Sequence, residues 1–239
     1  MHLGQSVSVV FPAYNEEDGI SQAVSTFLAN DAVDEVIVVD NNSRDRTAEL
    51  AREAGARVVQ ESRQGYGFAL QRGLAEARTD LVIMSEPDGT FSADDVYKLL
   101  AYSGDVDLVL GTRTTRELIW DAANMGWFLK WGNWVVAKLL EVLYGTPSLS
   151  DVGCTMRLVR REALERFRGQ LTVGASHFLP EMVVLARLNG VTMLEVPVNY
   201  RARSGESKIT GSLKGTLRTG INMVLLILRY RVAGSRAGA

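Results

Sequence analysis

The chain is poor in the residues that support thiol, disulfide or imidazole chemistry. It has one cysteine, Cys154, and two histidines among its 239 residues. A single cysteine excludes a disulfide within the chain and a zinc site built from cysteines, which fits a reducing compartment. His2 and His177 are weak candidates for the base that a catalytic thiol would need. We therefore expect the chemistry to come from carboxylate and basic side chains.

Long apolar segments are also missing. The longest clean apolar run is Met223 to Leu228, far short of the roughly twenty residues that span a bilayer. The N-terminus lacks the basic-then-apolar pattern of a secretory signal. We expect a cytoplasmic protein that does not cross a membrane but can lie on its cytoplasmic face.

Negative charge is absent from the end of the chain. No Asp or Glu follows Glu206, whereas six Lys and Arg residues do, although the whole chain has a formal net charge of -2. This asymmetry predicts a local anionic partner and argues against general nucleic-acid binding. The length and the ordinary apolar content, 46% of residues, predict a single globular α/β domain.

The first hundred residues alternate short apolar runs with helical segments. Strands are predicted at 7–11, where Pro12 ends the run, and at 35–40, 57–59, 81–84 and 107–111. Helices are predicted from a Ser43 cap to about residue 54, over 67–77, and from 92 onward. Repeated β-α units predict a mainly parallel sheet with helices on both faces.

Polar clusters fall at the predicted carboxyl ends of four strands. In an open α/β sheet this edge is where ligands bind. The dinucleotide fingerprint Gly-x-Gly-x-x-Gly is absent, because Leu70 stands where the third glycine would follow Gly65 and Gly67. A dinucleotide site is therefore disfavoured. The four clusters lie at residues 12–16, 40–42, 86–88 and 111–113.

Two carboxylates one residue apart follow the predicted strand 81–84. Glu86 and Asp88 offer hard oxygen ligands that suit Mg²⁺ or Mn²⁺ shared with a substrate diphosphate. Pro87 and Gly89 also make this segment a strong turn signal, so an ordinary turn is the alternative. The other clusters at the same edge favour the metal site.

Several ordered motifs resemble family 2 glycosyltransferases of the GT-A fold. The segments Phe11 to Glu17 and Val38 to Thr47 resemble the family as a whole. The segments Asp151 to Arg157 and Glu195 to Lys208 are similar to the dolichyl- and polyprenyl-phosphate mannose synthase branch. The resemblance implies a Rossmann-like, mainly parallel sheet flanked by helices, with amphipathic interface helices and a C-terminal helix. It divides the single domain 1–239 into a nucleotide-sugar half (1–115), an acceptor half (116–212) and a C-terminal amphipathic, basic segment (213–239).

The resemblance implies inverting transfer of a hexose from a nucleotide sugar, GDP-mannose or a UDP-sugar, to a polyprenyl or dolichyl phosphate. It implies catalytic roles for Asp88, Asp151 and Arg113, and metal binding by Glu86 and Asp88. The residues expected to bind the nucleotide sugar are Pro12, Ala13, Tyr14, Asn15, Glu16, Asp40, Asn42 and Pro87. Those expected to bind the acceptor phosphate are Arg113, Lys130, Arg201, Arg203, Ser207 and Lys208.

The chain departs from the family pattern at several positions. Glu86 replaces the first Asp of the usual Asp-x-Asp motif, which makes Asp88 the stronger metal ligand. Thr90 stands where mannose synthases often have Gln, which weakens an assignment to GDP-mannose. In the Asp-x-x-Ser-Gly-Phe-Arg element, Ser, Gly and Phe are replaced by Cys154, Thr155 and Met156.

Two alternatives stay open. A family 2 transferase with a soluble hydroxyl acceptor would need a general base, for which Asp151 or Glu181 is available. A non-catalytic sugar-nucleotide-binding protein would explain the altered metal motif at Glu86.

Membrane contact is predicted from two segments. Trp120, Trp127, Trp131 and Trp134 would share one face of a continuous helix beside Lys138, a composition typical of a membrane interface. Packing of these rings on the sheet is the alternative, and Gly126 and Gly132 could break the helix. The segment 212–231 predicts a basic amphipathic helix that binds an anionic membrane surface.

Overall fold

The computed structural model describes residues 4–119, 127–202 and 213–237. Within this part of the chain, seven strands form one sheet. The strands are β1 (Val7–Ala13), β2 (Glu35–Asp40), β3 (Arg57–Gln60), β4 (Leu81–Met84), β5 (Leu108–Thr112), β6 (Arg157–Arg160) and β7 (Met193–Pro197). The α-helices are α1 (Ile20–Leu28), α2 (Thr47–Glu53), α3 (Tyr66–Glu76), α4 (Asp95–Leu100), α5 (Trp127–Tyr144), α6 (Arg161–Glu165), α7 (Phe178–Leu188) and α8 (Leu213–Ala237). Short 3-10 helices occupy Arg116–Leu118 and Arg168–Gln170.

The sheet is mainly parallel, as predicted. Its strand order is β3-β2-β1-β4-β6-β5-β7. Only β6 among these strands runs antiparallel to its neighbours, β4 on one side and β5 on the other. This strand was not predicted, because Arg157 and Arg160 flank a run of only two apolar residues.

The reversed strand β6 begins at the edge where the parallel strands end. Its first residue, Arg157, pairs with Met84 at the end of β4 and with Leu110 near the end of β5. The segment that leads into β6 therefore reaches the same edge as the polar clusters after β1, β2, β4 and β5. One edge of the sheet thus collects residues from both halves of the chain.

The core has two layers, one on each face of the sheet. Successive strand residues alternate between them: Val10 and Ile37 join one cluster, whereas Val9 and Phe11 join the other. Helices α3, α5, α6, α7 and α8 contribute to the first cluster, and α1, α2 and α4 to the second. Helices therefore cover both faces, as expected for this fold class.

Pro12 does not end the first strand, contrary to the prediction. It pairs with Val39 of β2 in the parallel register. The carbonyl of Val10 accepts a hydrogen bond from the N–H of Ser85, on the β4 side of β1. Pro12 faces the same side two residues later, and the pairing with β4 has already stopped at Val10. The missing N–H of Pro12 therefore removes no bond from the sheet.

Ser43 is not a helix cap, which corrects a second prediction. Helix α2 begins only at Thr47. The hydroxyl of Ser43 instead accepts a hydrogen bond from the backbone N–H of Asn15 at 3.0 Å. The residue therefore connects the loop after β2 to the loop after β1.

The two helices expected at an interface are present. Helix α5 runs through Gly132 without a break, whereas Trp120 and Gly126 lie outside the described residues. Trp131 and Trp134 are 51% and 42% exposed, so they do not pack on the sheet. Helix α8 confirms the C-terminal helix. Within the described residues, no helix combines the length and apolar character required to span a membrane.

Candidate active site

Two asparagines with unusual backbone conformations lie in the loops after β1 and β2, and Asn15 connects these loops. Asn15 and Asn42 have φ angles of 53° and 64°. Asparagine tolerates this left-handed region better than most residues. The Oδ1 atom of Asn15 accepts a hydrogen bond from the N–H of Arg44 at 2.8 Å, beside the bond to Ser43. Such constrained backbone is common at binding sites, where surrounding contacts maintain it.

The carboxylate of Asp40 is fixed at the end of β2. Its side chain accepts hydrogen bonds from the N–H of Ser43 at 3.0 Å and from Nε2 of Gln60 at 2.9 Å. Carboxylate oxygens have further lone pairs, so Asp40 can still accept from a ligand. The other residues predicted to bind the nucleotide sugar lie at the same edge: Pro12, Ala13 and Pro87 are buried, and Tyr14, Asn15, Glu16 and Asn42 are half-buried.

Asp88 lies in a tight turn directly after β4. It is only 2% exposed. One oxygen, Oδ1, accepts hydrogen bonds from the backbone N–H of Thr90 at 3.0 Å and from its hydroxyl at 2.6 Å. The predicted turn therefore exists, and it fixes the carboxylate at the ligand-binding edge of the sheet.

Glu86 is held differently. Its Oε1 atom lies 2.6 Å from the hydroxyl of Thr155 and 3.2 Å from that of Tyr66. The two hydroxyls lie 2.5 Å apart. Burial and the nearby negative charge of Glu86 raise the pKa of Tyr66 well above its ordinary value. Tyr66 therefore stays neutral and keeps its proton for hydrogen bonding.

The acidic pair suits a metal ion that binds together with a phosphorylated ligand. Within the described residues, no group of three or more His, Cys, Asp or Glu side chains could hold a metal ion. Mg²⁺ in phosphate-transfer sites typically uses one or two carboxylates and takes its remaining ligands from water and substrate phosphates. Glu86 and Asp88 fit that arrangement, and they do not fit a metal site built from protein ligands alone.

The structure brings together Arg113 and Asp151, two of the predicted catalytic residues. Nε and Nη2 of Arg113 donate to the two carboxylate oxygens of Asp151 at 2.7 and 2.9 Å. Burial tends to raise the pKa of Asp151, but the charge and hydrogen bonds of Arg113 outweigh it and hold this pKa below its ordinary value. Asp151 therefore stays ionised, and its proton affinity is low.

The loop that carries Asp151 is held from two sides. The carboxylate of Glu195 accepts hydrogen bonds from the N–H groups of Ser150 and Asp151 at 2.9 Å. Arg157 is 1% exposed and donates to the backbone carbonyls of Val152, Cys154 and Leu179. Burial lowers the pKa of Arg157 to about 10. Arg157 therefore fixes the loop and does not face a ligand.

Arg201 lies beside the segment that follows Asp88. Its backbone N–H donates to the carbonyl of Thr90 at 2.9 Å, and its guanidinium group donates to the hydroxyl of Ser92 at 3.3 Å. The preceding ring, Tyr200, lies under the guanidinium group of Arg113 at 5.1 Å. The ring of Tyr200 thus contacts one predicted phosphate ligand, Arg113, and directly precedes another, Arg201, in the chain.

The remaining predicted phosphate ligands are outside what the structure describes. Lys130 belongs to α5 by its backbone, but its side chain is not among the described ones. Arg203, Ser207 and Lys208 lie outside the described residues.

The surroundings of three further polar side chains indicate structural roles. Burial raises the pKa of Cys154 to about 12, which excludes a thiolate nucleophile. Burial lowers the pKa of the half-buried His177, against the opposing effect of Glu181. Glu181 is fully buried and accepts hydrogen bonds from Thr172, Val173 and the hydroxyl of Tyr230. We interpret Glu181 as an anchor for α8.

Sequence reasoning missed four residues that shape the site: Tyr66, Thr155, Arg157 and Glu195. Thr155 had a readable signal, because it and Glu86 are both departures from the family pattern and they contact each other. Arg157 and Glu195 belong to the segments that carry the family resemblance, but no site role was assigned to them, and the contacts of all three other residues depend on tertiary structure.

Known proteins resemble this chain in sequence. The family model for glycosyl transferase family 2 matches residues 8–168. A dolichyl-phosphate hexose transferase of Haloferax volcanii is 32% identical over 232 residues, which cover 95% of this chain and 96% of that protein. The low-salt glycan biosynthesis hexosyltransferase Agl6 of the same organism is 32% identical over 214 residues, and the match covers 87% of this chain but only 50% of that relative.

Solved structures show the same fold. Glucosyl-3-phosphoglycerate synthase from Mycobacterium tuberculosis, in complex with Mn²⁺, uridine-diphosphate-glucose and phosphoglyceric acid, superposes with a TM-score of 0.70. It is 24% identical, and the match covers 95% of this chain and 80% of that chain. This likeness confirms the predicted GT-A fold. Because the family model also spans well over half of the chain, the protein belongs to glycosyltransferase family 2.

Proposed function

We propose that the protein is an inverting hexosyltransferase that moves a sugar from a nucleotide sugar to a polyprenyl phosphate. The observation that carries the proposal is the position of Arg201, which contacts Thr90 and Ser92 just after the acidic pair Glu86 and Asp88. A cation suited to one phosphate thus lies beside carboxylates suited to a metal-bound diphosphate. The nearly full-length match to a dolichyl-phosphate hexose transferase supports the same class of acceptor.

In this proposal the nucleotide sugar binds between the ends of β1, β2 and β4. Asp40 accepts hydrogen bonds from the ribose or the base, and the half-buried ring of Tyr14 packs on the base. The backbone N–H and the side chain of Asn15 connect the two loops. The donor is GDP-mannose or a UDP-sugar, and uridine diphosphate is the nucleotide bound by the solved structure of the same fold.

Glu86 and Asp88 are the residues that would hold Mg²⁺ or Mn²⁺, which would neutralise charge on the departing diphosphate. Thr90 restricts the rotation of Asp88 through two hydrogen bonds to Oδ1. The chain thereby keeps the carboxylate in place before any ligand arrives, which is the usual form of electrostatic preorganisation.

The state of Asp151 favours a phosphate acceptor over a hydroxyl acceptor. A hydroxyl must lose a proton during attack and needs a base. Asp151 is a poor base because Arg113 lowers its pKa. A phosphate monoester has lost most of its second proton by pH 7, since that pKa is about 6, and it can attack without one. Arg113 and Arg201 would bind and orient this phosphate.

The two proposed halves of the site share one sheet. Residues 1–115 supply the nucleotide-sugar half, and residues 116–212 supply the acceptor half. Strand β6 of the acceptor half lies between β4 and β5 of the nucleotide-sugar half. The pairing fixes the distance between the acidic pair and the loop of Asp151, which favours in-line reaction of donor and acceptor.

Peripheral binding to an anionic membrane is part of the proposal, and an exposed apolar stripe on α8 supports it. The tyrosine hydroxyl of Tyr144 in α5 donates to the carbonyl of Ile227 in α8 at 2.6 Å, so the two helices are neighbours. Exposed Arg218 and Arg229 accompany the stripe, an arrangement typical of interfacial helices. The stripe consists of Leu217, Ile221, Leu225, Leu228 and Val232, which are 42–59% exposed.

A transfer assay tests the proposal. Purified protein is incubated with Mg²⁺ or Mn²⁺, a polyprenyl phosphate in detergent, and radiolabelled GDP-mannose, UDP-glucose or UDP-galactose in parallel. We expect label from one donor to enter the solvent-extractable lipid, and EDTA to abolish this transfer.

The same assay separates the alternatives. A second set of reactions replaces the lipid with phosphoglyceric acid, which is bound in the solved structure of the same fold. Label that enters only the water-soluble product would replace the lipid acceptor with a soluble one. Binding of a nucleotide sugar without transfer or hydrolysis under any condition would favour a non-catalytic sugar-nucleotide-binding protein.

A further inference from the structure

Two hydroxyl groups and the carboxylate of Glu86 form a closed triangle of contacts. The distances are 2.5 Å between Tyr66 and Thr155, 2.6 Å between Thr155 and Glu86, and 3.2 Å between Tyr66 and Glu86. Each hydroxyl has one proton to donate, so only two of the three contacts can be hydrogen bonds at once. The two short distances indicate that Tyr66 donates to Thr155 and Thr155 donates to Glu86.

The register of the sheet places Thr155 next to Glu86. Met84 at the end of β4 pairs with Arg157 at the start of the antiparallel strand β6. Extending this register by two residues sets Thr155 opposite Glu86. The contact therefore lies directly beyond the paired ends of two central strands.

Tyr66 reaches the same place from the other side. It is the first residue of α3, and the next residue, Gly67, donates its N–H to the carbonyl of Gly174 at 2.9 Å. A Cβ atom on Gly67 would lie 2.2 Å from the carbonyl oxygen of Val173. Only glycine permits this close approach, which fixes the start of α3 and with it the hydroxyl of Tyr66.

We propose that Thr155 is a positioning residue for the metal-binding motif, and that Tyr66 orients the hydroxyl of Thr155 toward Glu86. This inference rests on the proposed function, in which Glu86 and Asp88 hold the divalent ion. A glutamate has one more rotatable bond than an aspartate, so its carboxylate is less fixed by the backbone. The bond from Thr155 holds one oxygen of Glu86 and thereby sets where the carboxylate stands relative to Asp88.

The test is the affinity of the protein for Mn²⁺ in the presence of UDP and, in parallel, GDP, measured by electron paramagnetic resonance of free Mn²⁺. Thr155→Val keeps the shape of the side chain but removes the hydroxyl, whereas Thr155→Ser keeps the hydroxyl. We expect Thr155→Val to raise the Kd for Mn²⁺ about tenfold or more, the usual effect of losing a residue that orients a metal ligand. Thr155→Ser should stay within about twofold of the unmodified protein, because its donor remains.

Two further variants sharpen the test. Tyr66→Phe should weaken Mn²⁺ binding less than Thr155→Val, because Thr155 can still donate to Glu86. Thr79→Val is the matched control: it removes a hydroxyl that lies within hydrogen-bond distance of the Ser8 hydroxyl and the Leu81 carbonyl, at the opposite end of β4, and it should leave the Kd unchanged. Thermal unfolding of each variant checks that it is folded, and Thr155→Ala replaces Thr155→Val if the valine variant does not fold.

The outcomes separate this inference from the proposed function. An unchanged Kd in Thr155→Val, or an equal loss in Thr155→Ser, would overturn the positioning role while the metal-dependent transferase stands. If the unmodified protein binds no Mn²⁺ with either nucleotide, the metal-dependent function and the inference both fail.

Discussion

At the scale of single residues, Asp88 is the most direct test of the acidic pair. We expect Asp88→Asn to reduce kcat about a hundredfold or more, because a lost metal ligand removes several kcal/mol of transition-state stabilisation. Thermal unfolding should change little, since the amide can still accept both hydrogen bonds from Thr90. Kinetics with excess Mn²⁺ measure the effect. Full activity of Asp88→Asn in the presence of EDTA would contradict a metal role.

The buried ion pair of Asp151 and Arg113 predicts a pH-dependent contribution to stability. The pKa of Asp151 is lower in the folded protein than its unfolded value of about 3.9. Its stabilising effect is therefore complete above that pH and disappears as the pH falls through the folded value. We expect Asp151→Asn to cost about 3–5 kcal/mol at pH 7, because it leaves Arg113 buried without its carboxylate partner.

Urea unfolding between pH 7 and pH 3 measures this difference. The difference in the free energy of unfolding between the unmodified protein and Asp151→Asn should narrow as the pH falls below about 4. Glu49→Gln is the control, because the pair of Glu49 with Arg46 is more than half exposed and should contribute little. A difference in unfolding free energy that stays constant from about pH 7 to pH 3 would show that the ion pair does not stabilise the fold.

Arg201 should contribute more to binding of the acceptor than to binding of the nucleotide sugar. Loss of a charged partner of a phosphate costs about 2 kcal/mol where water is excluded, so we expect Arg201→Ala to raise KM for polyprenyl phosphate about thirtyfold. Calorimetry should show nearly normal binding of the nucleotide sugar. The exposed Arg52 provides a control as Arg52→Ala. Normal acceptor use together with lost nucleotide-sugar binding would assign Arg201 to the other half of the site.

Candidate residues for the site could be named from the sequence, but most of their contacts could not. Asp40, Glu86 and Asp88 were found because polar residues after apolar strands have a local pattern. The partners Gln60 and Tyr66 come from distant parts of the chain. Such contacts leave no periodic pattern or motif in the sequence, because they depend on how the helices and strands pack together.

At the scale of elements, α8 presents its apolar stripe to solvent, and this predicts how a single charge affects membrane binding. We expect the protein to float with anionic vesicles at low salt and to release at high salt. Leu225→Glu should lower the partition coefficient about tenfold or more, because it places a charge within the buried apolar face.

Tyr102→Glu is the control for this experiment. Tyr102 is 43% exposed and follows α4, whose buried residues belong to the opposite face of the sheet. The control should float like the unmodified protein. Equal flotation of Leu225→Glu and the unmodified protein would assign membrane contact to another surface, and no flotation at low salt would remove the membrane proposal.

A long helix with regularly spaced apolar residues was predicted well, whereas the short strand β6 was not. Helix α8 was expected because apolar residues recur at helical spacing over a long basic segment. Strand β6 was missed because two arginines flank its apolar pair, although Arg157 is fully buried and bonds to backbone carbonyls. Burial of a charged side chain is decided by tertiary contacts, which a local pattern does not contain.

At the scale of the whole molecule, the convergence of polar clusters was predictable and the insertion of β6 was not. Parallel strands have their carboxyl ends at one edge by construction, so the clusters after β1, β2 and β4 had to meet. The sequence contains no sign that a strand from the acceptor half pairs between β4 and β5. That pairing places the start of β6 beside the ends of β4 and β5.

Helix α8 also belongs to the core, and this determines the thermodynamics of any membrane attachment. Its inner residues Met223 and Ile227 are buried, and its Tyr230 hydroxyl donates to Glu181. A disordered tail would lose conformational entropy as it folded on the lipid. Here the helix is already formed, so we expect circular dichroism to show no gain of helix when vesicles are added. A large gain would mean that the segment folds on the membrane. With a preformed helix, the domain would attach in one orientation, and its active edge would stay at a constant height above the lipid surface.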